Sequence, residues 1–156
     1  MKFFFDNNLA AKIARGLNGF VSPDHQVVHL KEQFAANTDD VVWMKQLAQQ
    51  KDWIIVTADV CIGKNPHEIA AWKEAGHTIF FLKPGWLNMK FWDKAQKFTK
   101  CFPLIIEKAK TAKRGSSFII SVNGKIDGYI YRYICFLSRT SVRQNFSAAP
   151  YCAHGI

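Results

Sequence analysis

The sequence predicts an α/β fold, a three-layer α/β/α sandwich on a mainly parallel five-stranded sheet. Three observations predict it. Short apolar runs alternate with amphipathic helical segments, as in parallel strands joined by crossover helices. Capping and turn residues such as Asn65-Pro66, Pro84-Gly85 and Asn123-Gly124 fall between the segments. The composition is globular, 49% hydrophobic, 14% aromatic and 21% charged over 156 residues, which argues against disorder, collagen and a coiled rod.

Residues 3–5 form the first strand, a short run of phenylalanine. Asn7 or Asn8 then caps a helix whose apolar positions Leu9, Ile13, Ala14 and Leu17 share a face, and Gly16, Gly19 and Pro23 close it. Residues 27–30 are the second strand. Thr38, with Asp39 and Asp40, opens a second helix bearing Trp43, Met44, Leu47 and Ala48. Residues 53–57 are the third strand. Asn65-Pro66 starts the next helix, with Glu68 three places on as in a capping box, and Gly76 ends it. Residues 78–82 are the fourth strand. A long basic helix follows from Asn88 to about Phe102, with Pro103 separating it from a second stretch up to Lys110. Residues 117–122 are the fifth strand, and right-handed crossovers join the five into one sheet.

A chain of this length is one domain's worth. Its charge is unbalanced: 21 Lys and Arg against 12 Asp and Glu give +9, enough to attract nucleic acid or an acidic partner before contact. All the lysines and tryptophans lie in residues 1–126, whereas all four tyrosines lie in residues 127–156. The expected organisation is a domain over 1–126 and an atypical C-terminal tail over 127–156. That tail reads either as an extra strand with its own extension or as the product of a shifted frame or fusion.

No apolar run approaches the roughly 18 residues of a membrane span, and the N-terminus lacks a signal peptide's apolar region. Cys61, Cys101, Cys135 and Cys152 occur singly, without a CxxC motif or histidines at ligand spacing. Neither a zinc site nor a disulfide framework is expected, and the default compartment is a reducing cytoplasm.

Chemistry is expected from the carboxylates. Parallel sheets bind ligands outside the carboxyl ends of their strands, where Asp6 follows the first strand and Asp59 the third. Asp40 falls within the arc of Trp43, Met44, Leu47 and Ala48, which turns it toward the sheet, while Asp39 is rotated toward solvent. Each has a simpler reading as a helix or turn cap. Their common place tips the balance, because independent caps have no reason to gather at one edge. Three such carboxylates repel one another unless a divalent cation lies between them, and oxygen ligands favour magnesium or manganese over zinc.

Phe3-Phe4-Phe5-Asp6-Asn7-Asn8-Leu9, Asp40-Val41-Val42-Trp43, Trp53-Ile54-Ile55-Val56-Thr57-Ala58-Asp59 and Lys64-Asn65-Pro66 together resemble the PIN-like domain family, in its branch of VapC-type toxins. The resemblance covers about residues 1–125. It implies a Mg2+- or Mn2+-dependent endoribonuclease with Asp6, Asp40 and Asp59 as catalytic and metal-binding residues. It also implies an RNA substrate and a small antitoxin partner, and leaves a homodimer open. Two departures stand out. The family usually carries a fourth acid near the third, but residues 60–67 hold no carboxylate, and position 42 is Val where relatives often have an acid. A single metal, with Asn7, Asn65 or Glu68 accessory to it, suits this chain best.

Eight basic residues against Asp93 and Glu107 lie between Lys90 and Arg114. Lys90, Lys94 and Lys97 recur at helical spacing and, with Lys64, are the candidates for RNA phosphates. Phe91, Trp92 and Phe98 among them could pack or stack, with core packing the expectation. The five histidines form no pair at ligand spacing and are expected to be structural. Two other functions compete: a catalytically inactive PIN-like module that binds RNA or protein, and a receiver-like phosphoswitch. The latter is disfavoured because only one helix and one strand separate Asp59 from Lys83.

Overall fold

In the computed structural model the chain is described over residues 1–35, 37–50, 53–59 and 74–129. The elements are β1 (Lys2–Phe5), α1 (Ala11–Val21), β2 (Gln26–His29), α2 (Leu30–Gln33), α3 (Asp40–Gln49), β3 (Trp53–Thr57), β4 (Thr78–Leu82), α4 (Phe91–Thr111), β5 (Ser117–Ile120) and β6 (Ile126–Gly128). A 3-10 turn, Pro84–Trp86, separates β4 from α4. The sheet order is β2-β1-β3-β4-β5-β6. Every pairing is parallel except that of β6 with β5.

The phenylalanine run shows why the sheet sits in the middle. Phe3, Phe4 and Phe5 are all fully buried, and alternation along the strand sends them to opposite faces. Phe3 and Phe5 join Ile13, Ala14 and Leu17 of α1 and Phe98, Phe102 and Ile105 of α4. Phe4 joins Trp43, Met44 and Leu47 of α3, its ring stacked 5.0 Å from that of Trp43. Helices thus cover both faces, as a strand apolar on both sides requires.

Several boundaries differ from expectation. Gly16 and Gly19 lie inside α1, which ends where the Ser22 amide meets the Asn18 carbonyl at 3.0 Å. Its N-cap is Ala10 rather than Asn7 or Asn8. Leu30 starts α2 instead of ending β2, because the His29 side chain accepts from the Lys31 amide and Glu32 reaches back to the His29 amide, a reciprocal cap. Pro103 does not divide the basic helix: α4 is continuous, begins at Phe91 rather than Asn88, and buries Cys101, Phe102, Ile105 and Ile106 around the proline. Gly76, with φ 68°, ends the helical residues 74 and 75 as expected.

The C-terminal edge departs most. Beyond the five expected strands, antiparallel β6 spans residues on both sides of position 127. The Tyr129 amide continues that ladder to Ser117 at 2.8 Å, and its ring packs 5.3 Å from Phe81. Tyr131, Tyr133 and the rest of the tail lie outside the described residues. Among the described residues no helix is long and apolar enough to cross a membrane.

Candidate active site

In an open parallel sheet the ligand crevice forms at the carboxyl edge where successive connections leave in opposite directions. That point lies between β1 and β3, because the chain goes from β1 outward to β2 and returns to β3 on the other side of β1. Asp6 directly follows β1, and Asp59 lies two residues beyond β3. The two carboxylates flank the switch point.

Asp6 is only 3% exposed. Its amide donates to the Val56 carbonyl at 3.4 Å, extending the β1–β3 ladder by one residue. Its carboxylate accepts from the Asn8 amide at 3.2 Å, from Asn8 Nδ2 at 3.4 Å and from the Thr57 hydroxyl. Asn8, expected to cap a helix, instead closes a turn around Asp6. Thr57 is fully buried, and its Oγ1 also accepts the Asp59 amide at 2.8 Å. One hydroxyl therefore bonds both the side chain of Asp6 and the backbone of Asp59. The bridging role of Thr57 has no signal in the sequence: a threonine ending an apolar run reads as an ordinary strand former.

Asp40 is the first residue of α3, which runs back to the start of β3, so its backbone belongs to the same edge; its side chain lies outside the described set. Asp39 is the N-cap by position, with no hydrogen bond from its side chain to the helix. Asn7 is exposed on the turn after β1. Lys64, Asn65 and Glu68 lie outside the described residues. Among those described, no three His, Cys, Asp or Glu side chains gather as a metal cluster. Carboxylate oxygens such as those of Asp6 and Asp59 are hard donors, of the type that suits magnesium or manganese better than zinc.

Beside Asp6, β1 pairs with β2 so that His29 stands opposite Phe5. His29 is fully buried, with Nε2 donating to the Leu9 carbonyl at 2.8 Å and Nδ1 accepting from the Lys31 amide at 3.1 Å. Both ring nitrogens serve the backbone, and the histidine is structural. The Arg15 side chain bonds Glu32 at 2.8 Å and holds its carboxyl below the usual carboxylate range. Helix α2 is thereby joined to α1.

The basic stripe divides. Lys90 is the N-cap of α4 and is exposed, Lys94 is half-buried, and Lys97 donates from Nζ to the Val122 carbonyl at 2.9 Å, tying α4 to the end of β5. Of the aromatics, Phe98 is core as expected, but Phe91 is 40% and Trp92 80% exposed, contrary to expectation. A shallow groove of about 450 Å3 between α4 and the β5–β6 hairpin is lined by Leu104, Glu107 and Lys108, away from the carboxylates. It holds no part of this constellation.

A family model described as a PIN like domain matches residues 1–84, more than half of the chain. The chain belongs to the PIN-like domain family. The matched span runs from β1 to the residues just after β4, so the PIN-like segment contains the switch point and all three predicted acids. Domains of this family are commonly nucleases, which makes phosphodiester chemistry the class to weigh at this edge. No curated protein and no solved structure matches the chain.

Proposed function

We propose that this PIN-like protein is a metal-dependent endoribonuclease, the toxin of a VapC-type toxin–antitoxin pair acting in the cytoplasm. The observation that supports the nuclease reading is the Thr57 hydroxyl, which bonds the Asp6 carboxylate and the Asp59 backbone amide at the switch point of the sheet. Asp6, Asp40 and Asp59 would hold magnesium or manganese, with Asn7, Asn65 and Glu68 accessory. When bound, the ion supplies Lewis acidity, lowering the pKa of a water and neutralising charge on the scissile phosphate.

The remaining work falls to side chains. Asp6 is oriented by Thr57 and Asn8 before substrate arrives, which removes the cost of organising it later. Asp59 is only half-buried, so it can take the proton of the attacking water. In-line attack leaves a 5'-phosphate and a 3'-hydroxyl. Lys64, Lys90 and Lys94 hold the RNA backbone, and a small antitoxin is the expected protein partner.

The test is cleavage of single-stranded and structured RNA by the purified chain with magnesium, with manganese and with chelator. Cutting is expected only with metal, and Asp6→Asn and Asp59→Asn should each lower it by about 10²-fold or more with unchanged far-UV circular dichroism. Equal cutting by both variants and the parent would overturn the reading. The absence of a carboxylate in residues 60–67 favours one alternative, an inactive module. It predicts RNA bound but uncut under every metal condition.

A further inference from the structure

Trp86 is fully buried, yet its indole Nε1 has no hydrogen-bond partner among the described residues. An indole nitrogen is a donor only, and a buried donor left unpaired is rare enough in a native fold to need an explanation. Among the described residues no other buried side-chain nitrogen or oxygen is in that state. The rest of the side chain is packed, its ring 4.8 Å from that of Phe98. An acceptor for the N–H therefore has to come from a space that the protein leaves open.

Such a space adjoins it. Trp86 lines a cavity of about 260 Å3 together with Lys97, Lys100, Cys101 and Leu104 of α4 and residues 122–124 of the β5–β6 turn. The turn that carries Trp86 is pressed against this hairpin: a methyl on Gly85 would stand 2.7 Å from Val122 Cγ2. The charge on the lining has one sign. Lys97 donates from Nζ to the Val122 carbonyl at 2.9 Å, a bond between two residues of the wall, so its ammonium is held at the cavity with two of its three N–H groups to spare. Neither Lys97 nor Lys100 pairs with a carboxylate among the described residues, and no Asp or Glu lines the cavity. Asn123 Oδ1 accepts from the Lys125 amide at 3.1 Å, which leaves the Nδ2 group as one more donor. The remaining wall, Leu104, Val122 and Cys101, is apolar. Burial pushes the pKa of the Cys101 thiol up to about 11, so the thiol stays neutral.

We infer that this cavity is a binding site for a small organic carboxylate, whose oxygens accept from the Trp86 indole and the Lys97 ammonium while its apolar body lies against Leu104 and Val122. The inference does not depend on the ribonuclease reading. The end of β5 lies two strands, about 10 Å, from that of β3, and neither Asp6 nor Asp59 has a part in it. A carboxylate matches the wall in three ways. It accepts and does not donate, as an orphaned N–H beside two ammonium groups requires. Its charge makes the bond to Lys97 stronger than one to a neutral ligand. Its body covers apolar wall that a bare inorganic ion leaves open. Water satisfies the indole but complements neither the charge nor the apolar side.

The experiment follows the indole N–H signals of the 15N-labelled full chain by NMR, in chelator, with the Trp86 signal identified by its loss in Trp86→Phe. Benzoate is the probe, and benzamide and inorganic phosphate are the controls. Benzoate should move the Trp86 signal downfield and saturate with a Kd on the order of 1 mM, the range of a ligand of about ten non-hydrogen atoms in a small pocket. Benzamide, which keeps the shape and lacks the charge, should bind roughly tenfold or more weaker, as should benzoate to Lys97→Met. Lys97→Met keeps the aliphatic stem, and its far-UV circular dichroism checks the fold; the titrations of the parent stand without it. A Trp86 signal that benzoate leaves in place would overturn the proposal and assign the cavity to water. Equal affinity for benzamide, or equal benzoate affinity in a folded Lys97→Met, would overturn it as well. A shift by phosphate as large as that by benzoate would do the same, assigning the donors to a bare anion.

Discussion

The Thr57 hydroxyl gives its hydrogen to Asp6 and takes one from the Asp59 amide, so a single oxygen sets the spacing of two strand ends. Thr57→Val keeps the shape of the side chain and removes that oxygen, leaving a buried carboxylate short of a donor at a cost of about 1–3 kcal/mol. Cleavage by Thr57→Val should fall roughly tenfold or more, chiefly in kcat, whereas Thr57→Ser should restore it. A melting curve separates the stability loss from the kinetic one, and full activity in Thr57→Val would remove Thr57 from the positioning role. Asp6 and Asp59 are legible in the sequence because a carboxylate ending an apolar run is a local signal. The threonine between them is not, because its role depends on the neighbouring strand.

Among the elements, α1 and α4 show where local signals give way. Two glycines in α1 read as a stop, and Pro103 in α4 reads as a break, yet both helices continue. Most helical stability in a folded protein comes from packing an apolar face. Ile13, Ala14 and Leu17 supply that face in α1, and Phe98 to Ile106 supply it in α4. Both glycines are exposed, and a methyl added at either meets nothing within 4 Å. Gly16→Ala and Gly19→Ala should therefore each stabilise the protein by about 0.5–1 kcal/mol, read as a higher urea midpoint at constant m-value. No gain in either variant would mean that the helix is frayed there in solution. The extra strand after residue 126 stays one of two readings in the sequence for a different reason: three residues with a half-buried pattern, those of β6, give almost no periodic signal.

For the whole molecule, the two cores on either face of the sheet fix both stability and its dependence on pH. His77, 3% exposed just ahead of β4, donates from Nε2 to the Met44 carbonyl of α3 at 3.3 Å. Burial, the largest influence on it, lowers its pKa below the ordinary 6.5. Below that value the unfolded chain takes up a proton that the folded chain resists. This contribution is thus fully present above about pH 6.5 and is lost as the pH falls through the window beneath it. The unfolding free energy from urea titrations should fall as the pH drops below about 6.5, with a slope of up to about 1.4 kcal/mol per pH unit from this group. His77→Gln should flatten that slope, and an unchanged slope in the variant would assign it to other groups. The same scale resolves the charge of +9: lysines lie toward the outside of α4 while the carboxylates occupy the sheet edge, so a polyanion is drawn to the one and repelled by the other.

The sequence by itself determined the alternation of apolar strands and helices, the burial of the phenylalanine run and the placing of acids just past strand ends. Each of these follows from residues close together in the chain, through side-chain period and capping chemistry. Only the tertiary structure decided that β1 lies between β2 and β3, that Thr57 joins Asp6 to Asp59, that β6 adds an antiparallel edge and that Trp92 faces solvent. Those depend on which segments meet across tens of residues, where burial of a whole face outweighs the preference of any single residue.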